Sequence, residues 1–239
     1  MDTWKNAWFI FKKDLRMDRL HLIGNIIFMI YIGISISTMI EFRNETERVL
    51  QPFSDFMMLL VIPLTGFFFS RRSFSYIKED CYTGMLHYYR ALPIAIGTIM
   101  KARIIQLVTA LIFNGIIFYP LLYIMSNELR DNLNIGQYIV FILTWNGFAL
   151  LMNGAYIYFE LLKKGRTYFW MTTSVVLSVA VITVVLRVVN TNLVMLTVDY
   201  TSRFSFLSPL MWGSLIIGCA GFTVLLKATE RKLAIRDLK

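Results

Sequence analysis

The side chains best suited to catalysis or to metal binding are few in this sequence, and they are scattered. The 239 residues include two histidines, His21 and His87, and two cysteines, Cys81 and Cys219, and none of their separations matches a metal-binding pattern. The sequence has no G-x-S-x-G, no H-E-x-x-H and no G-x-x-x-x-G-K-[ST] motif. These absences argue against an enzyme and against ATP binding by this chain, and we expect it to hold no metal ion and no cofactor of its own.

The remaining candidates for chemistry are asparagines that interrupt long apolar segments. Asn146-Gly147 and Asn153-Gly154 repeat the same pair seven residues apart, which is two turns of a helix, so both pairs lie on one face. An amide in lipid is costly unless it is paired, so this face should meet other helices or a hydrated path. The sequence leaves open both structural hydrogen bonding and the lining of a translocation path. The path candidates are Asn114, Asn146 and Asn153.

The segments that must position these asparagines are long and apolar. The chain is 57% hydrophobic with a mean hydropathy of +0.60, and a helix needs about 20 apolar residues to cross a membrane. The sequence therefore predicts an all-α polytopic membrane protein, a single domain over residues 1–239 with six transmembrane helices. Pro63 and Gly66 interrupt the second of these and predict a kink or an unwound turn. The predicted spans are residues 20–40, 53–70, 104–125, 137–159, 169–189 and 207–226.

Basic residues predict the orientation of these spans. The segments 1–19, 71–103, 161–168 and 227–239 carry 19 of the 24 lysines and arginines, and basic residues favour the cytoplasmic side. We therefore expect both termini in the cytoplasm and the protein in the cytoplasmic membrane of a bacterium. Basic segments beside an anionic leaflet also account for the net charge of +9 without a nucleic-acid partner.

Two segments outside the spans are predicted to lie along the membrane surface. Residues 1–19 place Trp4, Trp8, Phe11 and Leu15 on one stripe, with most of the basic residues off it, which is typical of an interfacial helix in contact with membrane lipids. The segment 190–206 is half apolar, which favours a re-entrant or interfacial element over a free loop.

The longest polar insert between two spans is Arg71 to Arg103, and it is predicted to hold one short docking helix. Tyr82, Met85, Leu86 and Tyr89 follow the i, i+3, i+4, i+7 spacing that places four side chains on one face of a helix. Leu92-Pro93 should end this helix, because proline disfavours the helical conformation in the residue before it.

The same insert resembles the first long cytoplasmic loop of type 2 ABC exporter permeases. The residues that carry the resemblance are Glu79-Asp80, Thr83-Gly84-Met85-Leu86, Arg90-Ala91-Leu92-Pro93-Ile94 and Lys101. In that family the loop forms a coupling helix between spans two and three, and it docks on a separate ATPase subunit that binds ATP and magnesium. Together with the helical spacing, the resemblance implies that the docking residues are Glu79, Tyr82, Gly84, Met85, Leu86, Tyr89, Arg90 and Pro93.

The resemblance implies a permease subunit that works with a second permease, either a copy or a paralogue, and with cytoplasmic ATPase subunits. Aromatic residues make up 15% of the chain, and Asp55, Glu160 and Arg187 lie near span ends rather than at midplane. These features favour export of hydrophobic or amphipathic cargo, peptides above lipids or drugs. The alternative from another class is a membrane-embedded enzyme or a scaffold that anchors a soluble partner.

Overall fold

The computed structural model describes residues 3–41, 51–92 and 94–236, and within these ranges the chain is all-helical, with no strand. A 3-10 turn, Ser205–Leu207, precedes the last described helix. The helices are α1 (Thr3–Met17), α2 (Arg19–Glu41), α3 (Gln51–Leu64), α4 (Arg71–Glu79), α5 (Cys81–Ala91), α6 (Ile96–Met125), α7 (Asn127–Asn132), α8 (Ile135–Leu162), α9 (Gly165–Val188), α10 (Leu193–Phe204) and α11 (Pro209–Ile235).

Five of the described helices, α2, α6, α8, α9 and α11, are long and apolar enough to cross a membrane. Their outward side chains are large and apolar. Leu177 of α9 and Ile216 of α11, for example, are 62% and 65% exposed. A helix apolar on the outside belongs in lipid rather than in water. The fold is therefore that of an all-helical, multi-pass membrane protein.

The second predicted span differs from the other five. Helix α3 covers only 14 residues, or about 21 Å, which is less than the roughly 30 Å of a hydrocarbon core. Pro63 lies in its last turn, and residues 67–70 are neither helix nor turn. The predicted interruption at Pro63 and Gly66 is thus confirmed, and the helical part of the predicted span 53–70 ends at Leu64. Proline ends the helix because its ring clashes with the preceding turn and it has no N–H to donate.

The bundle has two distinct ends. At one, which we call the proximal end, side chains of α1, α5, the α8–α9 turn and the end of α11 are in contact. The Tyr89 hydroxyl donates to Asp14, and the Arg236 guanidinium donates to the Leu161 carbonyl. At the opposite, distal end lie α7 and α10. The four segments that carry most of the lysines and arginines meet at the proximal end wherever the structure describes them.

Helices α8 and α11 form the most extensive pair among the described elements. A methyl group added to Gly147 would lie 2.5 Å from the backbone carbon of Ser214, and one added to Gly218 would lie 2.1 Å from the Gly147 carbonyl oxygen. The Ser214 hydroxyl also donates to the Thr144 carbonyl at 2.9 Å. Small residues thus allow the two backbones to touch, which is how helices commonly associate in lipid.

The segment 190–206 is mostly helical, in agreement with the sequence prediction against a free loop. Helix α10 begins at Leu193, and the Asp55 carboxylate of α3 accepts hydrogen bonds from the backbone N–H groups of Leu193 and Val194 at 2.8 and 3.0 Å. These N–H groups have no partner within their own helix. Asp55 therefore caps α10 and joins it to the start of the interrupted second span, residues 53–70, which we call the broken segment.

Candidate functional site at the proximal end

The polar insert holds two helices rather than the one predicted. Helices α4 and α5 meet at Asp80, which adopts the left-handed conformation with φ 43°, and aspartate is one of the few non-glycine residues that tolerate it. The Asp80 carboxylate accepts a hydrogen bond of 2.8 Å from the N–H of Gly165, the first residue of α9. A methyl group on Gly165 would lie 1.9 Å from the Tyr76 carbonyl oxygen. Glycine at this position lets α4 rest directly on the start of α9.

Helix α5 ends where the sequence predicts. Leu92 is extended, with φ −94° and ψ 149°, as expected for a residue that precedes proline. Pro93 itself lies outside the described residues. Arg90 lies in the last turn of α5.

The apolar face of α5 points into the protein. Leu86 is 1% exposed, Tyr89 is 4% exposed and Tyr82 is 8% exposed, and Met85 is half-buried. We call these four residues the inner face. The prediction that they form the contact surface for a partner does not fit this burial. Helical periodicity identifies a face that must leave water, but it does not say whether the chain itself or another subunit covers it.

The inner face contacts every neighbouring element at the proximal end. Leu86 packs with Met100 of α6, Ile157 and Leu161 of α8, and Leu233 of α11. The Tyr82 ring contacts those of Tyr76 and Tyr168 at centroid distances of 5.9 and 5.4 Å, and these two rings also contact each other. Burial, with a smaller contribution from the Glu160 carboxylate, raises the pKa of the Tyr82 phenol well above its ordinary value.

The opposite side of α5 is open to solvent. Gly84, His87, Tyr88 and Ala91 repeat the i, i+3, i+4, i+7 spacing, and all four are exposed. We call them the outer face. Glu79 at the end of α4 is exposed as well. Of the predicted docking residues, Glu79 and Gly84 are therefore accessible, whereas Tyr82, Leu86 and Tyr89 are not.

A buried ion pair lies directly beneath α5. The Arg103 guanidinium of α6 donates to the Glu160 carboxylate of α8, with side chains 12% and 6% exposed. Arg103 also donates to Gln106 at 2.7 Å, and its second nitrogen lies 3.7 Å from the Met85 sulfur. From the sequence, both charged residues were expected only to lie near span ends. Opposite charges at the same predicted end of spans three and four were the signal that could have found the pair.

The two asparagines Asn114 and Asn153 satisfy the backbone of the broken segment. The Asn114 amide donates to the carbonyls of Thr65 and Phe67 at 2.8 and 2.9 Å, and the Asn153 amide donates to the Pro63 carbonyl at 3.1 Å. Both side chains are 0% exposed. Their positions support the structural alternative rather than a path lining. The Asn114 donor is used by two carbonyls that lack a helical partner, and the Asn153 donor is used by the carbonyls of Pro63 and Ala149.

Asn25 and Asn146 complete this set of amides. The Asn25 amide donates to the Asn114 oxygen, so α2 also joins the network around the broken segment. Asn146 is half-buried and accepts a hydrogen bond of 3.1 Å from the Tyr119 hydroxyl of α6. On α8, the asparagines of the two Asn-Gly pairs thus meet α3 and α6, while the glycines meet α11. The sequence pattern alone did not single out Asn25.

Comparison with family models, curated proteins and solved structures gives no match. The function of this chain is therefore inferred from its own contacts.

Those contacts make α5 a rigid link between the solvent and the bundle. Its outer face is accessible, its inner face packs on α6, α8 and α11, and Asp80 fixes its start to α9. Close-packed side chains transmit displacements because interiors have few voids that could absorb them. A displacement of α5 would therefore be transmitted directly to α6, α8, α9 and α11, because α5 contacts all four helices.

Proposed function

We propose that this chain is the membrane subunit of a type 2 ABC exporter, with α5 as its coupling helix. ATP and magnesium bind to a separate cytoplasmic ATPase, and a second permease, either a copy or a paralogue, completes the transport unit. The observation that carries the proposal is the arrangement of α5, anchored by its inner face with its outer face exposed at the basic end of the bundle. The loop motif from Gly84 to Pro93 adds the family resemblance.

The proposed docking surface is the outer face rather than the inner one. Gly84 lies on it, and Glu79 lies beside it, so part of the family-like motif is kept, while Tyr88 supplies an accessible aromatic ring, 52% exposed. In the proposed mechanism, closure of the ATPase dimer displaces α5. The inner face then passes the movement to α6, α8 and α11, and a path between two permeases opens alternately inward and outward.

The proposed topology has six crossings, with both termini in the cytoplasm of a bacterium. The second crossing combines α3, at about 21 Å, with residues 67–70, which add roughly 3.3 Å each when extended. Together they exceed a hydrocarbon core of roughly 30 Å. The Thr65 and Phe67 carbonyls of the unwound part accept hydrogen bonds from Asn114, as non-helical backbone at membrane depth requires. The Pro63 carbonyl in the last turn of α3 accepts one from Asn153. The clustering of basic residues supports a cytoplasmic proximal end.

The test is co-purification of an ATPase with the tagged chain from its native membrane, followed by measurement of ATP turnover. The test variant combines Tyr88→Asp and Ala91→Asp on the outer face. Burying a tyrosine in a contact contributes about 1.5–3 kcal/mol, so its loss together with two buried carboxylates should weaken ATPase binding at least tenfold. Insertion should be normal, because both residues are exposed in the isolated subunit.

The matched control is Lys164→Asp, which adds a carboxylate at the same end but away from the outer face. It should retain the ATPase and its turnover. Full coupling in the Tyr88 and Ala91 variant would contradict the proposal. A soluble partner that co-purifies without ATP turnover would favour the scaffold instead. Amphipathic peptides, lipids and drugs can then be ranked as cargo by how strongly each stimulates the ATPase of the reconstituted complex.

A further inference from the structure

The charges of α1 are sorted between its two sides. Lys12, Lys13 and Arg16 are exposed, as is Arg19 at the start of α2. The acidic residues Asp14 and Asp18 are half-buried, and both line a small cavity of about 40 Å³ next to Arg103 and Glu160. The outward side of α1 therefore presents cations, while the carboxylates of Asp14 and of Asp18, which directly follows α1, face the protein.

Aromatic side chains border this basic surface. Trp4, Trp8 and Phe9 are 55%, 53% and 73% exposed, whereas Phe11 is buried at 5%. The predicted stripe of Trp4, Trp8, Phe11 and Leu15 is therefore divided, because the two tryptophans are exposed whereas Phe11 is buried in the protein. Tryptophan rings favour the level of the lipid headgroups, and lysine and arginine stems extend their charges toward that level.

Helix α1 also contacts α5 and α6. The Lys13 ammonium lies 4.8 Å from the centre of the Tyr88 ring on the outer face of α5. Asp14, one residue further, accepts a hydrogen bond of 3.3 Å from the Tyr89 hydroxyl. The Lys101 ammonium of α6 lies 5.1 Å from the centre of the Trp4 ring. A change in the position of α1 would thus move both sides of α5.

We infer that the outward surface of α1 binds anionic phospholipid headgroups, and that this binding holds α5 in place. Charge complementarity identifies the ligand, because exposed cations flanked by exposed tryptophans match a negatively charged headgroup layer above acyl chains. Each basic residue near an anionic surface contributes roughly a fivefold preference. The inference depends on the chain lying in a membrane and does not depend on the proposed ATPase partner.

The test uses the purified full chain without an ATPase, in nanodiscs of phosphatidylcholine alone or with about one third phosphatidylglycerol, a strongly anionic mixture. Lipid retained by the chain is identified by native mass spectrometry, and amide hydrogen exchange is measured over α5. The wild-type chain should retain phosphatidylglycerol preferentially, and α5 amides should exchange at least tenfold more slowly in the anionic nanodiscs.

The test variant replaces Lys12, Arg16 and Arg19 by glutamine, which should reduce the phosphatidylglycerol preference roughly a hundredfold and abolish the lipid effect on α5. The control replaces Lys163, Lys164 and Arg166 by glutamine, which removes the same charge at the same end. It should lower the overall lipid preference but leave the lipid effect on α5 intact, because these residues are not on α1. An equal loss of the lipid effect on α5 in the two variants would overturn the inference, as would a wild-type chain without lipid preference. Displacement of the lipid by millimolar inorganic phosphate would also overturn it, because the surface would then be an anion site that does not require lipid.

Discussion

Replacing Asn114 by leucine tests how much its hydrogen bonds to the broken segment stabilise the protein. Leucine branches at the same carbon as asparagine, so the change removes the amide while keeping a similar shape. Two carbonyls, those of Thr65 and Phe67, lose their donor, and the Asn25 amide loses its acceptor. All of this takes place at a site where the asparagine is 0% exposed, so water is not available to replace the lost partners.

The expected size of the effect follows from the number of bonds lost. Interhelical hydrogen bonds in a membrane protein average about 0.6 kcal/mol and reach about 1.7 kcal/mol. Three of them correspond to a loss of about 2–5 kcal/mol in the free energy of unfolding. Asn146→Leu is the matched control, because it removes one bond, from the Tyr119 hydroxyl, on a half-buried residue. It should cost about 0.6–1.7 kcal/mol.

The assay is unfolding of the purified chain in bicelles, followed by tryptophan fluorescence. Asn114→Leu should lower the midpoint at least twice as far as Asn146→Leu. It should also speed amide exchange at residues 65–70, whereas the control should leave those amides unchanged. Equal shifts in the two variants, with no change at residues 65–70, would refute the assignment of Asn114 as the partner of the unwound backbone.

Three further predictions concern other contacts. Gly218→Ala should reduce the yield of monodisperse protein in size-exclusion chromatography. The added methyl group would lie 2.1 Å from a backbone oxygen, and overpacking costs about 1–3 kcal/mol. The control Gly213→Ala should be neutral, because nothing lies within 4 Å of the added methyl group. Arg103→Ala should cost about 3–5 kcal/mol in unfolding experiments by leaving a buried carboxylate unpaired, and adding Glu160→Leu should restore most of the loss. Asp55→Ala should cost about 0.5–2 kcal/mol and speed amide exchange at the start of α10, whereas an unchanged exchange rate there would contradict the cap.

The sequence was sufficient for the features that depend on local pattern. Apolar length predicted the five long helices, the residue before Pro93 ended α5 as expected, and Pro63 with Gly66 located the break in the second segment. Each of these follows from hydropathy or from the backbone limits of proline, and both are properties of a few neighbouring residues.

Features that depend on distant partners could not be predicted. The periodicity of Tyr82, Met85, Leu86 and Tyr89 showed that one face of α5 leaves water, yet the covering residues lie on α6, α8 and α11. The pairing of Asn114 with residues 65 and 67 needed a three-dimensional arrangement as well. The Asn-Gly repeat identified the important face of α8 but could not separate a structural role from a path lining.

The broken second segment also constrains how the protein is made. Its carbonyls at Thr65 and Phe67 depend on the Asn114 amide, which lies 49 and 47 residues further along the chain. At a synthesis rate of about 5–20 residues per second, this donor leaves the ribosome roughly 2–10 s after the segment it serves. During that interval the unwound backbone has to remain hydrated or be held by the insertion machinery, because lipid offers it no hydrogen-bond partner. The segment therefore settles at its final depth only after α6 has been synthesised, which makes the order of translation part of the folding pathway.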